Sequence, residues 1–142
     1  MPQGLTQALQ LLLVVAADWA CSNARLQRYQ RLGATAPWVS AGPPLEVSLG
    51  RSGLAWAQEF ATPGPSTGPV KREGDGCSPA GAFPVTALFG TSTPAGGARL
   101  PWLQATPDLK CVDDPASRHY NRIVDHRRID RIDWASCEDM LR

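Results

Sequence analysis

Very little in this 142-residue sequence tilts its charge: fourteen Lys and Arg stand against thirteen Asp and Glu, a formal net charge of +1. So small an excess gives no overall field that would draw the chain toward nucleic acid or an acidic membrane surface. The four cysteines, Cys21, Cys77, Cys111 and Cys137, are widely separated and form no CxxC pair. Only His119 and His126 are present to assist them, so clustered zinc-ligand spacing is excluded. No apolar run approaches the roughly 20 residues of a spanning helix, so no transmembrane segment is expected. P-loop, dinucleotide-binding and calcium-loop fingerprints are missing, as is the G-x-S-x-G elbow, and neither cofactor nor metal is expected.

Glycine and proline, by contrast, are abundant, thirteen of each. They are spread among apolar runs instead of gathered in one tail, which implies many turns and short strands. The length suits one domain with a real core. An even cysteine count permits two disulfides in an oxidising compartment. The chain is larger than the small scaffolds that depend on them, which favours free, mostly buried thiols.

Residues 5–17 hold the longest apolar stretch, from Leu9 through Leu11, Leu12, Leu13, Val14 and Val15 to Ala17. A signal peptide is the alternative reading. Residues 1–10 carry no Lys or Arg, however, and Asp18 and Trp19 stand where small residues would suit cleavage. The stretch reads instead as a buried β-strand centred on 11–15. Residues 24–32 are read as a strand bounded by Gly33 and Pro37, although Leu26, Tyr29 and Leu32 recur at helical spacing. Leu45-Glu46-Val47-Ser48-Leu49 alternates cleanly, and Gly50-Arg51-Ser52-Gly53 then turns the chain toward Leu54-Ala55-Trp56-Ala57. This pattern predicts a β-hairpin over 45–57.

The stretch 70–89, VKREGDGCSPAGAFPVTALF, concentrates turn chemistry and charge. Gly74 and Gly76 flank an acid able to bond its own backbone. Ser78-Pro79-Ala80-Gly81 has the type I turn preference. Beyond it, Phe83, Val85, Ala87 and Phe89 would share one face of a strand, with Pro84 marking an edge or a bulge. Trp102 is placed across one end of the core. Near the end of the sequence Ser136 and Asp139 match a capping box, which predicts a helix start.

The chemical candidates are few. Ser117, His119 and Asp113 or Asp114 supply triad residue types, but surface-loop residues are the plainer reading. Cys77 follows Lys71 and Arg72 in a polar loop, where cations favour a thiolate; no partner base is evident. His126, Arg127, Arg128 and Arg131 interleave with Asp125, Asp130 and Asp133, which reads as a solvated, self-paired face.

Three runs carry a resemblance. Lys71-Arg72-Glu73-Gly74-Asp75-Gly76 with Ser78-Pro79-Ala80-Gly81-Ala82-Phe83 resembles the KxEGDGxxPAGxF signature of YkuD-type L,D-transpeptidase domains. Leu49-Gly50-Arg51-Ser52-Gly53-Leu54-Ala55-Trp56 resembles the LGRNGLAWG segment of one branch of that family. Cys111-Val112-Asp113-Asp114-Pro115, Tyr120-Asn121-Arg122-Ile123-Val124-Asp125 and Asp133-Trp134-Ala135-Ser136 are similar to the same branch's downstream motifs. The likeness covers roughly residues 10–142.

The resemblance implies a mainly β fold, an L,D-transpeptidase-like β-sandwich with short helical pieces, one starting near Ser136. Members of the family cleave a peptidoglycan stem peptide through a cysteine thioester and pass the acyl group to an amine on another stem. Peptidoglycan stem peptides are thus the implied partner, and the periplasm or cell wall the implied location. Lys71, Glu73, Asp75, Tyr120 and Asn121 are the candidate substrate-side residues. The family's catalytic histidine and Ser/Thr-His-Gly-Cys motif have no counterpart here, so no catalytic residue carries over. The expectation is a single domain cut short before its second half and inactive as it stands. The alternative is a non-enzymatic, peptidoglycan-binding module of the cell envelope. A small thiol enzyme using Cys77 is a third reading.

Overall fold

The computed structural model describes residues 6–57, 67–92 and 99–141. The chain is mainly β. Its backbone contacts divide it into two compact units, Met1–Pro84 and Val85–Arg142.

In the first unit the apolar run forms β1 (Gln10–Val15), antiparallel to β2 (Asn23–Gln30). β2 is the middle strand: on its other side it pairs with β3 (Val39–Ser40) at one end and β4 (Leu45–Ser48) at the other. The strand reading of 24–32 holds, because the two ladders satisfy β2 along its length, where a helix would forgo both. The expected burial of β1 does not hold. Leu12 and Val14 on one face are 56% and 40% exposed, and Leu13 and Val15 on the other are 41% and 57% exposed. β1 lies at the edge of its sheet, and at these positions no second layer among the described residues covers either face.

The 45–57 hairpin is also corrected. The turn is present, with Gly53 N–H donating to Gly50 C=O at 2.8 Å, but its arms separate. β4 joins β2, while β5 (Leu54–Trp56) pairs in parallel with β6 (Ser78–Ala80). That pairing also overturns the type I turn expected at Ser78-Pro79-Ala80-Gly81: Ser78, Pro79 and Ala80 are extended because they form a ladder with Leu54, Ala55 and Trp56. Proline is tolerated there because β6 pairs with β5 alone, so Pro79 needs no donor on its outer side among the described strands. Ala24, Ala55 and Ala57 are the buried apolar residues of this unit. Trp19 packs beside β5, with its ring 5.2 Å from that of Trp56.

The second unit contains β7 (Leu88–Gly90) and β8 (Trp102–Gln104), paired in parallel, and the antiparallel sheet β10-β9-β11. Only the last part of the strand expected over 83–89 forms, since 82–87 carry no regular structure. Trp102 lies on Gly90, where an added Cβ would meet its ring at 2.6 Å. β9 (Leu109–Val112) is central, flanked by β10 (Arg122–Asp125) and β11 (Cys137–Asp139). Ala105, Leu109 and Val112 are buried beside it. The helix expected to start near Ser136 is absent: the residues after it form β11. Pairing with Val112, Cys111 and Lys110 satisfies that backbone, whereas so short a helix has little stability of its own. Among the described residues one 3₁₀ turn, His126–Arg128, follows β10.

The burial expected of the cysteines does not hold: all four are free thiols here, Cys137 exposed and the other three half-buried. Among the described residues no helix is long and apolar enough to cross a membrane.

Candidate functional site

In the first unit, the acidic loop of 70–77 is built around one carboxylate. Asp75 Oδ1 accepts from Lys71 Nζ at 2.7 Å and from Cys77 N–H at 2.8 Å; Oδ2 accepts from Arg72 N–H at 2.7 Å. The three donors, with the Arg72 amide strongest, hold the Asp75 carboxyl at about 2, well below the usual carboxylate range. Gly74 and Gly76, at φ of 74° and 71°, supply the left-handed backbone that lets the chain wrap around its own acid.

Both ends of this loop are tied to β5 and to the turn before it. Lys71 N–H donates to Trp56 C=O at 2.8 Å, and Trp56 N–H to Pro69 C=O at 2.7 Å. At the exit, Ser52 N–H donates to Gly76 C=O at 3.0 Å, Ser78 N–H to Gly53 C=O at 2.8 Å, and Gly50 N–H to Ser78 Oγ at 2.9 Å. The approach is so close that a Cβ on Gly50 would lie 2.2 Å from the Gly76 carbonyl oxygen. The LGRSGLAW and KREGDGCSPAG runs are therefore two sides of one interlocked structure.

The electrostatics follow. Lys71 is spent on Asp75, both side chains being about a quarter exposed. Arg72 and Glu73 are exposed, and Glu73 accepts from Gly74 N–H at 3.3 Å. Among the described residues the hydrogen bonds of the Cys77 thiol run to backbone carbonyls, Ser52 C=O at 3.4 Å first. No side-chain base is in contact to accept its proton, so a nucleophile-and-base pair is not assembled here.

The second unit positions Tyr120 and Asn121. Asn121, at φ 58°, donates its N–H to Val112 C=O at 2.9 Å and reverses the chain from β9 into β10. Asparagine tolerates that conformation better than other side chains bearing a Cβ. Tyr120 is half-buried, with its N–H on Ser117 C=O at 3.1 Å. Lys71, Glu73 and Asp75 lie in one unit, Tyr120 and Asn121 in the other.

The triad residue types do not form a triad. Ser117, only 6% exposed, donates its hydroxyl to Asp133 Oδ1 at 2.6 Å, not to Asp113 or Asp114. His119 meets Ser117 Oγ through its backbone N–H at 3.0 Å, and its ring stands edge-on to Trp134 at 5.6 Å. Asp114 accepts from Ala135 N–H at 2.7 Å and Ala116 N–H at 2.9 Å. These donors lower the Asp114 carboxyl, the Ala135 amide most; the Ser117 hydroxyl is the main cause of the same shift in Asp133. Two acids thus fasten the segment 131–136 onto the turn 113–120.

Sequence reasoning missed the Ser117–Asp133 pair because sixteen residues separate the two, and no periodicity links them. The basic residues after β10 do pair internally. Arg127 reaches Asp108 at 3.1 Å and Asp125 at 3.0 Å, and His126 lies 3.5 Å from Asp108. Among the described residues no three His, Cys, Asp or Glu side chains are grouped to hold a metal.

The class that the fold defines is a mainly β protein. No protein-family model, curated protein or solved structure matches the chain.

Proposed function

We propose that the chain is an L,D-transpeptidase-like protein of the periplasm or cell wall that contacts peptidoglycan stem peptides and, as these residues stand, does not transfer acyl groups. The observation that carries the reading is the interlocking of its first two motif runs. Four residues that make the resemblance specific (Gly50, Gly74, Asp75 and Gly76) each hold a position that the loop geometry requires. A β-sandwich is the fold this reading assigns.

Arg72 and Glu73 are exposed on the loop, where a ligand can reach them; a carboxylate suits an amine and a guanidinium a carboxylate. Stem peptides carry both groups. Two observations support the absence of acyl transfer: the sequence contains no His-Gly-Cys, and among the described residues the hydrogen bonds of the Cys77 thiol run to backbone carbonyls.

The test has two arms. Insoluble sacculi should retain the purified chain, and Glu73→Ala should reduce retention several-fold while leaving the circular dichroism spectrum unchanged. A carbapenem-type suicide substrate should leave no covalent adduct in the intact-mass spectrum. Lack of retention would sink the binding assignment, and a stoichiometric adduct on Cys77, Cys111 or Cys137 would overturn the assignment of inactivity.

A further inference from the structure

The edge of β1 is unusual in what it presents. Arg31 N–H donates to Leu9 C=O at 3.0 Å, and the β1–β2 register runs from Gln10↔Gln30 to Val15↔Arg25. Hydrogen-bonded and non-hydrogen-bonded pairs alternate along an antiparallel ladder. Leu9, Leu11, Leu13 and Val15 therefore turn their backbone groups toward β2, while Gln10, Leu12 and Val14 turn theirs outward. Among the described residues no strand pairs with that outward side.

Natural sheets blunt such an edge with charge, proline or a bulge. Residues 8–17 contain no charged residue and no proline. The side chains flanking the edge are aliphatic on both faces and 40–57% exposed from Leu12 to Val15. One face continues into a groove of about 270 Å³ lined by Leu13, Val15, Arg25, Gln27, Tyr29 and Pro44.

We infer that this edge pairs with the same edge of a second copy, antiparallel about a two-fold axis through Leu13. Three features select that occupant. First, the phase closes on itself: with Leu13 opposite Leu13 of the second copy, Leu12 stands opposite Val14, and both are outward-facing positions. The two symmetric Leu12/Val14 pairs are then the hydrogen-bonded type, each exchanging both N–H···O bonds. Second, the charges are compatible. The neutral strands bring no like charges together, and Arg25, the nearest cation on the groove face, is already beside Glu46 at 3.7 Å. Third, the assembly stops at two. The sheet's opposite edge is split between β3 and β4, interrupted by Pro43-Pro44 and bearing Glu46, so it offers no continuous strand for a third copy.

The experiment is sedimentation of the purified 142-residue chain over a range of concentrations, with Val14→Lys and Leu12→Pro as edge variants. Leu12→Pro deletes an outward N–H and leaves the bonds to β2 intact. The native chain should show twice the monomer mass at high concentration, and both variants should lose the dimer. A second measurement does not depend on those variants folding normally. Leu13→Cys sits on the axis, where facing Cα atoms would be about 4.5 Å apart, within disulfide range. Under mild oxidation it should give a covalent dimer joined through position 13, identified by peptide mapping because Cys137 is exposed, whereas Leu12→Cys should give none through position 12. A monomer at every concentration, a dimer or larger aggregate that both edge variants retain, or equal cross-linking from positions 12 and 13 would each overturn the proposal.

Discussion

Ser117 and Asp133, sixteen residues apart, share a 2.6 Å hydrogen bond that fastens the 131–136 segment to the turn between β9 and β10. The serine hydroxyl is buried and the acceptor is an ionised carboxylate, the arrangement in which a single hydrogen bond counts most. Asp133 opens one of the runs that carry the resemblance, and Ser117 lies between the two others of the second unit. Here they act as a fastening.

Ser117→Ala should therefore destabilise the chain by about 1–2 kcal/mol in urea unfolding. The His119 amide, which Ser117 Oγ also accepts at 3.0 Å, should lose hydrogen-exchange protection in the same variant. Unchanged stability and unchanged exchange at His119 would contradict the role given to the pair.

The Asp75 loop should open in acid. Its folded carboxyl is lowered from an ordinary 3.8 to about 2, so its contribution is fully present above about pH 4 and is lost as the pH falls toward 2. The amide resonances of Arg72 and Cys77, which donate to this carboxylate, should titrate with a midpoint near 2. Asp75→Asn should abolish that titration. A midpoint near 4 would show that the carboxylate is not held as described. Asp114, Asp125 and Asp133 are lowered too, by donors from Ala135, Arg127 and Ser117 respectively, so acid should weaken the second unit in the same direction.

Two glycine variants separate conformation from contact. Gly74→Ala meets open space and suffers only its positive φ of 74°, a cost of about 1 kcal/mol. Gly50→Ala would place a methyl 2.2 Å from a backbone oxygen that cannot swing aside, and should cost upward of about 2 kcal/mol. Thermal melts of the two should rank in that order. The reverse order would mean that the LGRSG turn does not interlock with the acidic loop.

The strands most legible in the sequence are those with a local pattern. An aliphatic run marks β1 and an alternation marks β4, whereas β2, with Leu26, Tyr29 and Leu32 at helical spacing, is readable only from its Gly33 and Pro37 boundary and the β pattern around it. What the sequence concealed was partner choice. The alternating Leu45–Ser48 and the Leu54–Trp56 segment flank a genuine turn, yet one pairs backward to β2 and the other forward to β6. The capping-box pattern of Ser136 and Asp139 failed for a related reason: a distant strand, β9, supplied the hydrogen bonds that a helix would have supplied locally. Burial of β1 was misjudged because hydrophobicity reports what a strand could cover, not whether anything lies over it. At the site, Asp75 and its glycines were readable because an acid flanked by two glycines bonds within its own loop. Ser117 found its acid by tertiary folding, and no local pattern records that.

The parallel pairing of β5 with β6 has a consequence for the order of assembly. Leu54 and Ser78 become neighbours only after the intervening chain has doubled back, so the contact must be closed against loop entropy before any ladder repays it. The antiparallel β1–β2 pair, which starts from Val15 opposite Arg25, closes a much shorter loop. The acidic loop, tied at both ends to that parallel pair, should therefore form after the β1–β2 pair and be released before it when the unit loosens.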